Sequence, residues 1–252
     1  MNLIQSLVIA LSMYSSIPMP QTEWKEENMK YALCFFPVVG IVTGGVQYIV
    51  GSLLYRKAGS LFFAAAMTLI PILISGGIHL DGFMDTMDAL GSYGDQQKKL
   101  DILKDTHCGA FAVLGLGCYL AAGIGIWSEA TEEMLGVIGC SYVISRALSG
   151  ASVVSFPAAR KDGLARTFQV HAGKRAVLLA AMFWIIGASA LMICLDPAMA
   201  SGAAAGAAIM FWHYQRVADR QFGGVTGDLA GYFLQMCEQG MLAGIVITAK
   251  VL

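Results

Sequence analysis

Charge is what this sequence has least of: Asp, Glu, Lys and Arg make up 13% of 252 residues, while 57% are hydrophobic. Soluble domains carry about 25% charged residues, so the shortfall excludes an ordinary water-soluble globule. Disorder is excluded too, because apolar residues dominate. Nor is there an excess of one sign. Sixteen Lys and Arg stand against 17 Asp and Glu, a net charge of −1, which leaves nothing to hold a nucleic-acid backbone by electrostatics. No C-x-x-C pair occurs among Cys34, Cys108, Cys118, Cys140, Cys194 and Cys237. They read as small buried hydrophobes rather than as metal ligands or disulfides. H-E-x-x-H, G-x-S-x-G and the G-K-[ST] ending of a P-loop are also missing, which removes zinc-protease, acyl-transfer and P-loop chemistry. The opening MNLIQSLVIALSMYSSIPMP has no Lys or Arg before its apolar stretch and no small-residue cleavage site. It reads as a retained membrane segment.

What the chain does have is long apolar runs. A helix needs about 20 mainly apolar residues to cross roughly 30 Å of hydrocarbon. Such windows fall near residues 31–55, 60–78, 109–128, 134–157, 176–195 and 198–217. The first 17 residues are apolar but short, and 229–252 carries Glu238, so each is expected as a tilted or incomplete crossing. Runs such as GAAAGAAIMF do not alternate, which excludes a barrel, and their Gly, Ala and Ser suit close helix packing in lipid. The expectation is an all-α, polytopic helical membrane bundle of about seven transmembrane helices, six to eight at the limits of length. No repeat or linker divides it, so residues 1–252 read as a single integral membrane domain.

Charge then works by placement. With seven crossings, the segments 18–30, 79–108, 158–175 and 216–228 share one side and hold 12 of the 16 basic residues, Lys25 and Lys30 among them. The positive-inside rule makes that side cytoplasmic, and the expected location is the inner (plasma) membrane of the cell. Arg56 and Lys57 dissent, whereas the opposite loop around Glu129, Glu132 and Glu133 has no basic residue.

The longest polar stretch, HLDGFMDTMDALGSYGDQQKKLDILKDTHCGAF, places Asp81, Asp85 and Asp88 at spacings of four and three. At about 100° per residue a helix stacks all three on one face. Their mutual repulsion at the end of a membrane helix calls for a cation, and oxygen donors suit Mg²⁺. His79, two residues before Asp81, falls on the other side of that helix and reads as an orienting residue. Asp105, four residues after Asp101 and next to Lys104, is by spacing either a surface charge or a further site carboxylate. A second candidate is Gly223-Gly224-Val225-Thr226-Gly227-Asp228, preceded by Arg216 and Arg220. Glycines admit backbone N–H groups to phosphate oxygens, arginine binds phosphate bidentately, and Asp228 adds a metal ligand. Arg146, inside a crossing, needs an anion: an interior carboxylate or a substrate phosphate. Asp162 and Gly163 sit in the most basic loop and read as solvated.

A carboxylate cluster beside basic and glycine-rich loops suggests Mg²⁺-dependent phosphoryl-group transfer on a substrate with a bulky apolar part. A CDP-alcohol phosphatidyltransferase would share the architecture, but its D-x-x-D-G-x-x-A-R pattern is absent. A cation transporter would place its aspartates at mid-membrane, between broken helices. A purely structural subunit has no reason to align three carboxylates.

The segments SSIPMP, FFPVVGIVTGG, GGIHLDGFMDTMDA, LDILKDTHCGAF, SRA at 145–147 and GGVTGD resemble the adenosylcobinamide-GDP ribazoletransferase (cobalamin synthase) family along nearly the whole chain. The resemblance implies a transferase that joins adenosylcobinamide-GDP to α-ribazole or its 5′-phosphate and releases GMP. It carries the family's aspartate motif onto Asp81, Asp85 and Asp88, a later acidic residue onto Asp105, and the glycine-rich end onto Gly223, Gly224, Thr226, Gly227 and Asp228. Three positions depart from the family pattern: Ala89 for Gly, His107 for Arg and Gln235 for Glu, with Glu238 retained. Pattern and resemblance together nominate Asp81, Asp85, Asp88 and Asp105 as catalytic. His79, Lys104, Arg146, Arg220, Gly223, Gly224, Thr226 and Gly227 are nominated as substrate contacts, and Asp81, Asp85, Asp88 and Asp228 as Mg²⁺ ligands. Membrane lipid is an expected partner, and association with further copies stays open.

Overall fold

The computed structural model describes residues 3–20 and 26–251; Lys25 lies outside them. Every regular element there is helical: α1 (Leu3–Tyr14), α2 (Glu26–Met29), α3 (Ala32–Tyr55), α4 (Ser60–Ser75), α5 (Ile78–Gly91), α6 (Gln96–Ile102), α7 (Ala110–Trp127), α8 (Leu135–Ser155), α9 (Leu164–His171), α10 (Lys174–Leu195), α11 (Pro197–Val217) and α12 (Gly227–Val251). A 3₁₀ turn, Glu132–Met134, leads into α8, and a π turn, Ala218–Phe222, follows α11. The six apolar windows thus become helices at nearly the expected bounds.

By length and hydropathy α3, α7, α8 with its 3₁₀ turn, and α10 are able to cross a membrane, and α4 with α5 makes a fifth candidate bent by 99°. α11 and α12, at 21 and 25 residues, are long enough but less apolar. The 12 residues of α1 rise only about 18 Å, short of a crossing. α8 is the most enclosed of the spans and α10 the least. Large side chains such as Leu61, Phe62 and Leu73 on α4 and Phe183 and Ile186 on α10 are exposed, as an outer surface facing lipid requires. Close crossings use small residues: Gly44 of α3 meets Gly139 of α8, and Gly206 of α11 meets Gly240 of α12. This is how helices pack where lipid offers no hydrophobic drive.

Two expectations need correcting. Of the six free cysteines only Cys140 and Cys237 are buried, while Cys108, Cys118 and Cys194 are exposed; the apolar faces of α7 and α10 tolerate Cys118 and Cys194 as well as a core does, and Cys108 lies in the loop before α7. The crossing expected to run to residue 78 stops at Ser75, and the aspartate run, helical as its spacing predicts, lies on a separate helix beyond a sharp bend.

Polar contacts group the helix ends. Arg56 pairs with Glu132 at 2.9 Å and Lys250 pairs with Glu129, so two of the three basic residues at that end meet the acids of the α7–α8 loop. At the other end Arg160 donates to the Leu100 carbonyl at 2.7 Å, Gln96 donates to the Arg220 carbonyl at 3.3 Å, and Lys104 lies 3.7 Å from Asp162. Single cysteines in a cysteine-free background should therefore label from opposite sides of the membrane, Asp95→Cys and Asp162→Cys from one, Lys57→Cys and Glu133→Cys from the other. Labelling of Asp95→Cys and Lys57→Cys from the same side would contradict this arrangement.

Candidate functional site

The site begins at the bend between α4 and α5. Gly76 (φ 64°) and Gly77 (φ 83°) are both left-handed, a conformation that costs other residues a steric penalty. The carbonyls freed at the end of α4 are met from α1's side: Ser16 N–H donates to Ile74 at 2.7 Å, and its hydroxyl to Leu73 at 2.8 Å. The redirected α5 then runs against α12 almost backbone to backbone. A Cβ on Gly82 would sit 2.8 Å from the Asp228 carbonyl oxygen, and one on Gly231 would sit 3.0 Å from that of His79. Thr226 caps α12, its hydroxyl oxygen accepting from Leu229 N–H at 3.2 Å, and leaves Asp228 in the first turn. Asp81 occupies the first turn of α5. Each carboxylate thus sits at a helix N-terminus, where the macrodipole favours negative charge.

Asp81, Asp88 and Asp228 are all close enough to repel the half-buried Asp85 carboxylate. Asp88 lies further along, its carboxylate over Gly109 at the start of α7. Among the described residues none of these four acids is in an ion pair with Lys or Arg. No three His, Cys, Asp or Glu side chains there converge tightly enough to hold an ion by themselves. The donor set fits Mg²⁺ held through one or two carboxylates, which leaves its other positions to water and phosphate oxygens.

A cavity of about 220 Å³ opens where α5 and α12 start, and Asp81, His79, Thr226, Gly227 and Asp228 line it. Its other wall is the α8–α9 loop. Val225 N–H donates to Pro157 at 2.8 Å and Ala159 N–H to Val225 at 3.0 Å, which ties that loop to the glycine-rich turn. Arg160, Asp162, Gly163 and Arg166 consequently face the cavity. The two arginines were not singled out in the sequence, and Asp162 and Gly163 had been read as merely solvated. The available signal was the basic R-K-D-G-L-A-R run, but only the long-range strand-like bridge brings it to the aspartates.

Along its length the chain matches the family described as "Cobalamin-5-phosphate synthase" over residues 6–246. The chain belongs to this family. It is 44% identical over 250 residues, 98% of this chain and 94% of the relative, to a protein of Lachnoclostridium phytofermentans named adenosylcobinamide-GDP ribazoletransferase. A protein of Clostridium perfringens strain 13 with the same name is 30% identical over 93% of this chain and 94% of the relative. No solved structure matches.

Other family positions fall outside the cavity. Asp105 is exposed and accepts from His107 Nδ1 at 2.6 Å and its N–H at 3.0 Å, which holds its carboxyl below the ordinary value. Lys104 reaches the cavity only through Asp162. Arg220 is exposed on the π turn, and Gly223 (φ 70°) packs near Gln96 in a separate depression. Gly224 is held for packing, since a Cβ there would lie 2.5 Å from the Pro157 carbonyl oxygen. Of the two roles open to Arg146, the structure shows the interior pair: 1% exposed, it donates to Glu238 at 2.5 Å and to the Tyr142 carbonyl at 3.0 Å. Gln235, a departure from the family pattern, accepts from the Tyr119 hydroxyl in the same layer. Removing one partner of a buried pair costs about 3–5 kcal/mol. Glu238→Met should therefore unfold in detergent at markedly lower denaturant than Arg146→Met/Glu238→Met; equal stabilities would show that the pair is not coupled.

Proposed function

We propose that this chain transfers the cobinamide phosphoryl group of adenosylcobinamide-GDP to α-ribazole or its 5′-phosphate, with release of GMP. The observation that carries the reading is the α5–α12 seam, which turns Asp81 and Asp228 toward one cavity in a chain whose relatives bear that enzyme's name. A ribazole hydroxyl, expected to be the 3′-OH, attacks the phosphorus attached to cobinamide. The new O–P bond forms as the P–O bond to GMP breaks, and an unligated carboxylate of the aspartate set takes the hydroxyl proton. One or two of Asp81, Asp85, Asp88 and Asp228 would hold Mg²⁺, which when bound would supply positive charge to the diphosphate and the leaving group. His79, buried and stacked on Tyr14 at 5.9 Å, fixes the start of α5 beneath them.

In this reading the protein is a multi-pass protein of the cell membrane, and the cavity end faces the cytoplasm. The distribution of Lys and Arg supports that orientation, and the amphipathic corrinoid gives a physical reason for a membrane setting.

Purified protein in lipid vesicles should release GMP from GDP-cobinamide only when α-ribazole or its phosphate and Mg²⁺ are present, and a chelator should stop it. Asp81→Asn and Asp228→Asn, isosteric but uncharged, should each lower turnover by roughly two orders of magnitude or more while the thermal midpoint stays close to wild type. Near-wild-type GMP release by both variants would overturn the carboxylate mechanism.

A further inference from the structure

A second set of groups on this cavity consists of nitrogen groups that the described residues leave at most partly satisfied. Arg160 and Arg166 both line it. Arg160 is anchored by its bond to the Leu100 carbonyl, yet its Nε is buried with no hydrogen-bond partner. Gly163 (φ 94°) begins α9, so the first-turn amides of that helix have no helical carbonyl to meet, and Ala165 and Arg166 of that turn face the cavity. His79, 5% exposed, also lines this space, and its buried Nε2 has no hydrogen-bond partner. The one carboxylate on this wall, Asp162, is offset by Lys104 at 3.7 Å.

Together these groups ask for a compact anion with several acceptor oxygens. We propose that Arg160, Arg166 and the first turn of α9 form a subsite for a phosphate monoester on the acceptor, the 5′-phosphate of α-ribazole. The proposal rests on the ribazole-transfer reading above. A phosphate monoester carries nearly two negative charges and three acceptor oxygens at neutral pH, which matches two guanidinium groups and a helix N-terminus. The donor's diphosphate, in contrast, belongs with the cation at the carboxylates. Arg160 lies within electrostatic reach of Asp228, so the two subsites adjoin. The 5′-phosphate and 3′-hydroxyl of one ribose stand a sugar ring apart; an acceptor held by its phosphate at the arginines therefore presents its hydroxyl to the aspartates. The family's description, which names a 5-phosphate on its product, agrees with such an acceptor.

The test compares α-ribazole with α-ribazole 5′-phosphate, both as acceptors in GMP release and as ligands in equilibrium dialysis against the full-length protein. In Arg166→Ala the ratio of kcat/KM for the phosphorylated over the unphosphorylated acceptor should fall roughly 10- to 150-fold, the effect of losing one charge-assisted hydrogen bond. Arg160→Lys keeps the charge and loses the fork, so its ratio should fall in the same direction by less. An unchanged ratio in both variants, or a rise confined to the KM of the GDP-linked donor, would overturn the subsite. Should wild-type protein release no GMP with either acceptor, ribazole transfer itself would fall. Dialysis would then decide the subsite alone: tighter binding of the phosphorylated acceptor, lost in Arg166→Ala, supports it, and equal binding of the two overturns it.

Discussion

The rest of the site depends on one contact, the backbone approach of α5 to α12 at Gly82 and Gly231. Two helices that meet this closely have no room for side chains between them, so the residues flanking the seam are turned outward along its edges. Asp81 and Asp228 emerge at one such edge, each in the first turn of its helix. In lipid the approach is stabilised by packing and not by expulsion of water, so each methyl group added at the seam acts directly against it. The bend at Gly76 and Gly77 is what makes the contact available: a straight continuation of α4 would carry the aspartates away from α12.

Charge is rationed to three layers. At one end Arg56 and Lys250 are neutralised by Glu132 and Glu129. In the middle Arg146 and Glu238 satisfy each other between α8 and α12, with Ser145 and the Tyr142 carbonyl taking further bonds. At the cavity end four carboxylates, among the described residues, stand without a Lys or Arg in ion-pair contact, close to a loop with arginines of its own. An uncompensated acidic group is expensive near a membrane, and the clustering of four of them at this end is the electrostatic mark of a place where something cationic or phosphorylated binds.

Much of this was legible in the sequence, because membrane length and helical periodicity are local properties. The windows at 31–55 and 109–128 became α3 and α7 almost residue for residue, and the four-and-three spacing of Asp81, Asp85 and Asp88 did place them on one helix. What was not legible depends on distant partners. Gly76 and Gly77 sit in an apolar run where glycine also serves packing, so the bend gave no local sign. Gly224 looked like a phosphate-approach glycine until the chain at 157–159 was found to occupy that space. Nothing local marks Arg160 and Arg166, because the bridge between Ala158 and Val225 that brings their loop to the aspartates spans a long stretch of sequence. Arg146 could be assigned to Glu238 only once α8 and α12 were seen side by side.

The most direct measurement is the rate of GMP release across a series at the seam: wild type, Gly82→Ala and Gly82→Val, each compared with its own thermal midpoint. The account predicts a stepwise loss of turnover with added side-chain volume, larger than the loss of stability, because a seam pushed apart separates Asp81 from Asp228 before it unfolds the bundle. A Gly82→Val protein that turns over at the wild-type rate would contradict it.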